Sequence, residues 1–148
     1  MSVGREEGTI FITREIEFSA AHRLYLDSFS TEKNYEVFGK CANPYGHGHN
    51  YLLQVTVAGK PDPENHMLIH FSQLQRILDE LVVEPLDHRH LNLDVPFLKG
   101  ILPTSENLVM ALWDRIDFGL KDKPFELIKL RLASNPRNWV EYFGPKQD

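Results

Sequence analysis

A single cysteine, Cys41, is present among 148 residues, so the chain cannot form an internal disulfide. We therefore expect a free thiol in a reducing compartment. The apolar runs are all far shorter than the roughly 20 residues that a membrane-spanning helix needs. The first residues, Met1–Glu7, lack the apolar core of a signal peptide. Together these absences predict a cytoplasmic protein that makes no contact with a membrane.

An excess of basic residues is also missing. Sixteen Lys and Arg stand against 21 Asp and Glu, and the net charge of -5 argues against a broad nucleic-acid surface. No Gly-x-Gly-x-x-Gly or P-loop motif marks a dinucleotide or nucleotide site. The remaining composition is that of a globular protein, and the length suits one domain spanning residues 1–148. We expect the ends, 1–8 and 145–148, to be flexible.

Hydrophobic periodicity predicts an α+β domain. The element order is strand, strand, helix, helix, strand, strand, which gives a four-stranded antiparallel sheet with both helices on one face. Residues 25–46 show no periodicity and are predicted to form a long functional loop. Pro85 is predicted to end the first helix. The strands are predicted at about 9–22, 50–58, 127–132 and 139–143, and the helices at about 71–84 and 105–119.

The segment from Cys41 to Tyr51 contains a His-x-His pair at the start of the second predicted strand. Side chains two residues apart on a strand point to the same face, so His47 and His49 converge. His22, at the end of the first strand, supplies a third imidazole if the two strands are neighbours. Three imidazoles with an open fourth position are typical of a catalytic Zn²⁺ site. The alternative is that the pair lies on the surface and binds nothing.

Four segments taken together resemble the 6-pyruvoyl-tetrahydropterin synthase family, which includes the 6-carboxytetrahydropterin synthases of queuosine biosynthesis. They are Ser19–His22, Lys40–Tyr51, Pro85–Asn92 and Pro103–Asn107. The resemblance implies a T-fold, assembled from trimers into a homohexamer with active sites between subunits. It also implies a zinc-dependent lyase that eliminates triphosphate from the pterin substrate 7,8-dihydroneopterin triphosphate with internal redox rearrangement.

The same resemblance implies roles for individual residues. Zn²⁺ is expected on His22, His47 and His49; Cys41 is the expected catalytic thiol, Asp87 and His88 the expected proton-transfer pair, and Thr104, Ser105 and Glu106 the expected lining of the pterin pocket. From the residues alone, three alternatives stay open. Cys41 can be a fourth ligand in a closed structural zinc site. The Asp-His pair can be a solvated loop, and the Thr-Ser-Glu run can simply begin a helix.

Two positions depart from the family pattern. Ser134 stands where the family usually has a glutamate that anchors the pterin ring through two hydrogen bonds, and His70 stands where Asp or Asn usually precedes the first helix. The five residues between Cys41 and His47 resemble the pyruvoyl-forming branch more than the queuosine branch. Besides the lyase, two functions stay open: the queuosine-pathway variant, and a non-catalytic zinc-containing homologue that binds a pterin.

Overall fold

The computed structural model of the chain describes residues 8–145, and the ends predicted to be flexible fall almost wholly outside this range. In chain order the elements are β1 (Ile10–His22), α1 (Thr31–Phe38), β2 (His47–Gly59), α2 (Phe71–Leu78), α3 (Glu84–Leu86), β3 (Arg89–His90), α4 (Ser105–Gly119), β4 (Glu126–Asn135) and β5 (Asn138–Tyr142). None of the helices within this range has the length and apolar character needed to cross a bilayer.

The sheet contains five strands in the order β3-β1-β2-β4-β5. The four predicted strands are all present and pair antiparallel in sequence order. The prediction of a four-stranded, wholly antiparallel sheet is wrong, because β3 pairs parallel with β1. Backbone hydrogen bonds from His88 to Ser19 and from Leu91 to Ala21 hold it there. A strand of two residues has no hydrophobic period, so the sequence gives no sign of it.

The prediction of a loop over residues 25–46 and of only two helices is also wrong, because α1 lies within that segment. Ser30 caps its amino end by accepting a hydrogen bond from the backbone N–H of Lys33 at 3.1 Å. Asn34 is buried and bonds to the backbone of Leu26 on both its amide oxygen and its amide nitrogen. These polar hydrogen bonds hold α1 in place. The helix therefore lacks the regular apolar stripe by which a helix is recognised in a sequence.

The helices cover one face of the sheet, as predicted. Alternating residues of β1, such as Ile16 and Phe18, are buried, whereas their neighbours are exposed. The opposite face carries polar pairs, including the hydroxyls of Thr13 and Thr56 at 2.8 Å. Eight side chains that are fully buried show where sheet and helices meet: Leu53, Val55, Leu130 and Leu132 from the strands, and Leu74, Leu78, Leu112 and Ile116 from the helices.

The first predicted helix does not end at Pro85. A π-helical turn, Asp79–Val83, joins α2 to α3, and the helical path reaches Leu86. Proline lacks an N–H and its ring collides with the carbonyl four residues earlier, so it normally breaks a helix. Here the wider π-helical turn precedes the proline, and the proline begins the next helical turn. The helix therefore delivers Asp87 to the edge of β1.

Candidate metal centre and its surroundings

The register of β1 against β2 assembles three histidines. His22 lies directly opposite His47 at the ends of the two strands, and His49 follows two residues later on the same side. One ring nitrogen from each histidine lies within 4.8 Å of those of the other two. The convergence predicted from period-two alternation is therefore present in the structure.

His22 is oriented by a backbone carbonyl. Its ring is 4 % exposed, and its Nδ1 lies 2.9 Å from the carbonyl oxygen of Pro103, just before α4. A carbonyl only accepts, so Nδ1 must carry the proton, and the lone pair of Nε2 points into the site. That Nε2 lies 3.0 Å from Nε2 of His47. Without a metal, the His47 nitrogen donates in this contact.

Burial favours the neutral form of two of these imidazoles, His22 and His49. It lowers the pKa of His22 from 6.5 to about 4, an effect that the hydrogen bond to Pro103 opposes and the neighbouring histidines reinforce. Burial also lowers the pKa of His49, with a further contribution from His47. Neutral imidazole is the form that binds metal, so the rings are ready ligands near pH 7.

The donor set suits a divalent transition metal. Two imidazole nitrogens on a tetrahedral zinc ion stand about 3.3 Å apart, given zinc–nitrogen distances of about 2.0 Å, close to the 3.0 Å between the His22 and His47 nitrogens. The Pro103 carbonyl is the kind of outer partner that metal-bound histidines use. Three protein ligands leave a fourth coordination position for a reactant.

Gly46 fixes the entry of the chain into β2. Its φ is +71°, in the left-handed region, and its N–H donates to the carbonyl of Asn43. A Cβ placed there would stand 2.7 Å from the carbonyl oxygen of His22 and 3.1 Å from Nε2 of His90. Glycine is thus required for the two ligand-bearing strand ends to approach each other.

Asp87 and His88 dock onto β1 beside this site. One carboxylate oxygen of Asp87 accepts from the backbone N–H of Ser19 at 2.8 Å, and the other lies 2.8 Å from Nδ1 of His88. The Ser19 bond is the main reason that the pKa of Asp87 is lowered, with His88 adding to the effect. His88 has a φ of +60°, unusual for a residue with a side chain, and its ring is largely exposed.

An open cleft of about 540 Å³ joins the two groups. His49 and Gly48 line one side, and His88 and His90 line the other. The structure thus brings one metal-ligand candidate, His49, and the imidazole of the candidate proton-transfer pair, His88, to a common cavity. The cleft lies on an open surface and admits a small molecule.

Comparison with known proteins identifies the family. The sequence profile of 6-pyruvoyl tetrahydropterin synthase matches residues 11–145. The chain belongs to this family. It is 43% identical over 135 residues to the 6-pyruvoyl tetrahydrobiopterin synthase of Poecilia reticulata, covering 90% of each chain.

Two further relatives agree with this assignment. The structure of the Caenorhabditis elegans 6-pyruvoyl tetrahydropterin synthase superposes with a TM-score of 0.86 at 35% identity, covering 95% of this chain and 99% of that one. A putative 6-carboxy-5,6,7,8-tetrahydropterin synthase from Archaeoglobus fulgidus is 32% identical over 114 residues, 77% of this chain and 88% of that protein. A family enzyme related to pterin metabolism is therefore supported by sequence and by fold.

Cys41 lies in a 3-10 turn, Gly39–Ala42, that directly follows α1. It is half-buried, and its carbonyl accepts from the N–H of Leu24 at 2.8 Å. Its sulfur is not part of the group of ligand atoms that lie within 4.8 Å of one another. Burial raises the pKa of Tyr51, whose ring packs edge-on against His49, and a negative charge on the Cys41 thiol would raise it further.

Three of the predicted pterin-pocket residues lie at the start of α4, and the fourth, Ser134, lies in β4. Thr104 caps α4 by accepting from the backbone N–H of Asn107 at 3.1 Å, and it directly follows the Pro103 that orients His22. Ser105 and the exposed Glu106 form the first turn of α4. The helix begins and ends where it was predicted.

Ser134 lies in β4 at an irregularity between Ala133 and Asn135. Because Ala133 pairs with Leu52, early in β2, Ser134 lies at the same end of the sheet as the histidines. Its part in ligand binding stays a prediction. The other departure, His70, does cap α2: its Nδ1 accepts from the backbone N–H of Ser72 at 3.1 Å.

His90 lies against the site although no role was predicted for it. Its Nδ1 accepts from the N–H of Asn92 at 3.2 Å, so in the neutral ring the proton is on Nε2. Asn92 in turn exchanges two hydrogen bonds with the backbone of Arg23, each 2.8 Å long. The only sign of this in the sequence was the number of titratable residues after Pro85. Spacing along the chain does not show which of their side chains contact β1.

Proposed function

We propose that this protein is a zinc-dependent carbon–oxygen lyase that eliminates triphosphate from 7,8-dihydroneopterin triphosphate, forming a 6-pyruvoyl-tetrahydropterin. The observation that carries the proposal is the group of three converging imidazoles, with Nε2 of His22 directed inward by Pro103. Its position in a member of this family supports the assignment. Oxidation of the substrate's side chain is balanced by reduction of its ring, so no nicotinamide is required.

His22, His47 and His49 would hold the metal. When bound, zinc supplies a Lewis acid that stabilises negative charge on a substrate oxygen and so acidifies the adjacent C–H bond. Cys41 is the proposed base that removes this proton as a thiolate. A thiol has a pKa of about 8.5, which a nearby metal lowers, so a thiolate is accessible near neutral pH.

Asp87 and His88 are proposed to move protons between the substrate's carbon and oxygen atoms. The carboxylate holds the Nδ1 side of the imidazole at 2.8 Å, which leaves Nε2 to exchange a proton with the substrate. The exposed ring, the carboxylate with its lowered pKa and the shared cleft with His49 support this role. The protonated imidazole would donate to the leaving triphosphate.

Thr104, Ser105 and Glu106 are proposed to line the pterin pocket from the start of α4. Ser134 is neutral, so it cannot accept the two charge-assisted hydrogen bonds that a carboxylate accepts from the amino-pyrimidinone edge. We propose that Glu106, which is exposed in the first turn of α4, supplies this carboxylate. If it does not, the pocket suits a different pterin or another metabolite.

Two other functions compete with the lyase. The similarity to the Archaeoglobus relative supports the first, a 6-carboxytetrahydropterin synthase, which would release acetaldehyde. Serine at position 134 supports the second, a non-catalytic homologue that binds a pterin and keeps zinc for structure. The Cys41–His47 interval remains the sequence feature that supports the pyruvoyl-forming reaction.

Product identification separates the three functions. The purified protein, with its zinc content measured, is incubated with 7,8-dihydroneopterin triphosphate and the products are identified by mass spectrometry. Triphosphate without acetaldehyde supports the lyase, and acetaldehyde supports the carboxy-forming enzyme. Binding of the pterin without either product supports the non-catalytic homologue.

We also propose that the chain forms a cytoplasmic homohexamer built from two trimers. β5 and β3 lie at the two edges of the sheet, and unpaired edges favour association with another sheet. An oligomer would also complete active sites between subunits. Native mass spectrometry tests this assembly directly: a monomer at micromolar concentration would contradict it.

A further inference from the structure

Arg115 on α4 contacts a helical carbonyl, that of Leu81, which Pro85 cannot serve as a donor. In an α-helix the carbonyl of Leu81 would accept from the N–H of residue 85, but proline has none. Nε of Arg115 donates to the Leu81 carbonyl oxygen instead, at 2.6 Å. The guanidinium also lies over the ring of Phe97, 4.5 Å from its centroid.

Gly119 makes a second contact between α4 and the π-helical turn, and it lets the two elements approach closely enough for the Arg115 bond. Gly119 lies one helical turn after Arg115. A Cβ on Gly119 would stand only 2.5 Å from Cδ1 of Leu81. The α4 helix therefore contacts both the side chain and the carbonyl of Leu81, at the centre of the π-helical turn Asp79–Val83.

The π-helical turn determines where the helical path ends. Within it the N–H of Glu84 donates to the carbonyl of Asp79, five residues earlier. The chain then returns to ordinary spacing, and the N–H of Asp87 donates to the carbonyl of Val83 at 2.8 Å. Because Leu86 is fully buried, this short path leaves Asp87 little freedom, and its carboxylate meets the N–H of Ser19 on β1.

We propose that Arg115 is a positioning residue for the Asp87–His88 pair. By satisfying the Leu81 carbonyl it holds the π-helical turn in place, and the turn places the carboxylate of Asp87 under Ser19. Neither of the two groups that Arg115 contacts, the Leu81 carbonyl and the Phe97 ring, lines the cleft, so Arg115 acts through the turn and not on a reacting group. This role extends the proposed function. The part of the test that measures turnover rests on that function, whereas the position of Asp87 can be measured without it.

Two measurements test the proposal independently of each other. The first is the amide proton shift of Ser19 in a ¹⁵N TROSY spectrum, since a bond to a carboxylate shifts that proton downfield. The second is the separation of kcat from KM with 7,8-dihydroneopterin triphosphate. Arg115→Met removes the donor. Arg76→Met is the matched control, because it removes an exposed guanidinium from α2.

In Arg115→Met the Ser19 amide proton should move upfield and kcat should fall about 10- to 100-fold, the loss typical of a misplaced catalytic group, while KM and zinc content stay unchanged. Arg76→Met should match the wild type in every measurement. A folded Arg115→Met protein with an unchanged Ser19 amide overturns the proposal, as does a loss confined to KM.

If Arg115→Met does not fold, the double variant Pro85→Ala, Arg115→Met decides, because alanine returns a backbone N–H at residue 85 that the Leu81 carbonyl can accept. A folded double variant with the wild-type Ser19 shift supports the proposal, and one that stays unfolded or has a displaced shift overturns it. If the wild-type protein has no lyase activity, the proposed function fails, yet the Ser19 shift still tests the positioning role.

Discussion

The Nδ1 of His22 and the carbonyl oxygen of Pro103 lie 2.9 Å apart, and this bond links the end of β1 to the start of α4. It joins the candidate metal centre to the proposed pterin pocket, because Thr104 follows Pro103 directly. A shift of the first turn of α4 on ligand binding would therefore reorient a metal ligand.

Replacing His22 tests the metal site. In His22→Gln the chain loses the ligand that the Pro103 carbonyl orients, so zinc measured by elemental analysis should fall well below one per chain. His66→Asn, an exposed histidine in the left-handed region that asparagine tolerates, should keep full zinc. Equal zinc in both variants would show that the metal, if present, binds elsewhere.

Replacing Cys41 distinguishes a base from a ligand. In Cys41→Ala turnover should be abolished while zinc stays bound, because the sulfur lies outside the three-histidine group. Loss of zinc from this variant would place the thiol among the ligands. Zinc content and single-turnover rates measured on the same preparation make the comparison direct.

The stability of the metal-free protein should fall as the pH falls from 6.5 to 4. His22 has a pKa of about 4 when folded and about 6.5 when unfolded, so the unfolded chain binds the proton first. The free energy of unfolding is highest above pH 6.5 and should lose about 3 kcal/mol by pH 4 from this group alone. Urea denaturation of chelator-treated protein at several pH values measures the loss.

In His22→Gln the slope of stability against pH over this range should be smaller, because the titrating group is gone. An unchanged slope would mean that other groups govern the acid sensitivity. Zinc should raise the stability of the wild type without flattening this slope, since the metal keeps protons off the folded nitrogens while the unfolded chain still takes them up.

Restoring a carboxylate at position 134 should tighten pterin binding. Ser134→Glu adds a charged acceptor, and hydrogen bonds to charged groups contribute about 1.5–3 kcal/mol, so the dissociation constant should fall roughly tenfold or more. Ser134→Gln is the matched control of equal size without charge and should have a much smaller effect. Calorimetry with a stable pterin checks both, and an unchanged Ser134→Glu would mean that this residue does not face the pocket.

The three-histidine group was predictable because it depends only on local rules. Period-two alternation places His47 and His49 on one face, and pairing of two adjacent strands brings His22 opposite them. The capped start of α4 and the hairpin of β4 and β5 follow from similarly short-range signals.

Other features were not predictable because long-range contacts determine them. The helix α1 depends on buried Asn34 bonding to Leu26, and β3 depends on bonds to the backbone of β1. The helical path continues through Pro85 after a π-helical turn, and the Leu81 carbonyl in that turn accepts from Arg115, thirty positions after the proline. The secondary-structure propensity of a short segment does not depend on residues so far away in the sequence, so it could not predict these features.

Gly46 separates two parts of the chain that differ in how well they tolerate substitution: the segment that carries Cys41, before it, and the ligand-bearing start of β2, after it. No side chain fits at Gly46 beside the His22 carbonyl, whereas Tyr45, immediately before it, is 97% exposed. Insertions or deletions between Cys41 and Asn43 should thus move the sulfur while the turn at Gly46 and the strand ends that carry the ligand nitrogens stay in place. The length of this short segment therefore sets the distance between thiol and metal independently of the strands that bind the metal.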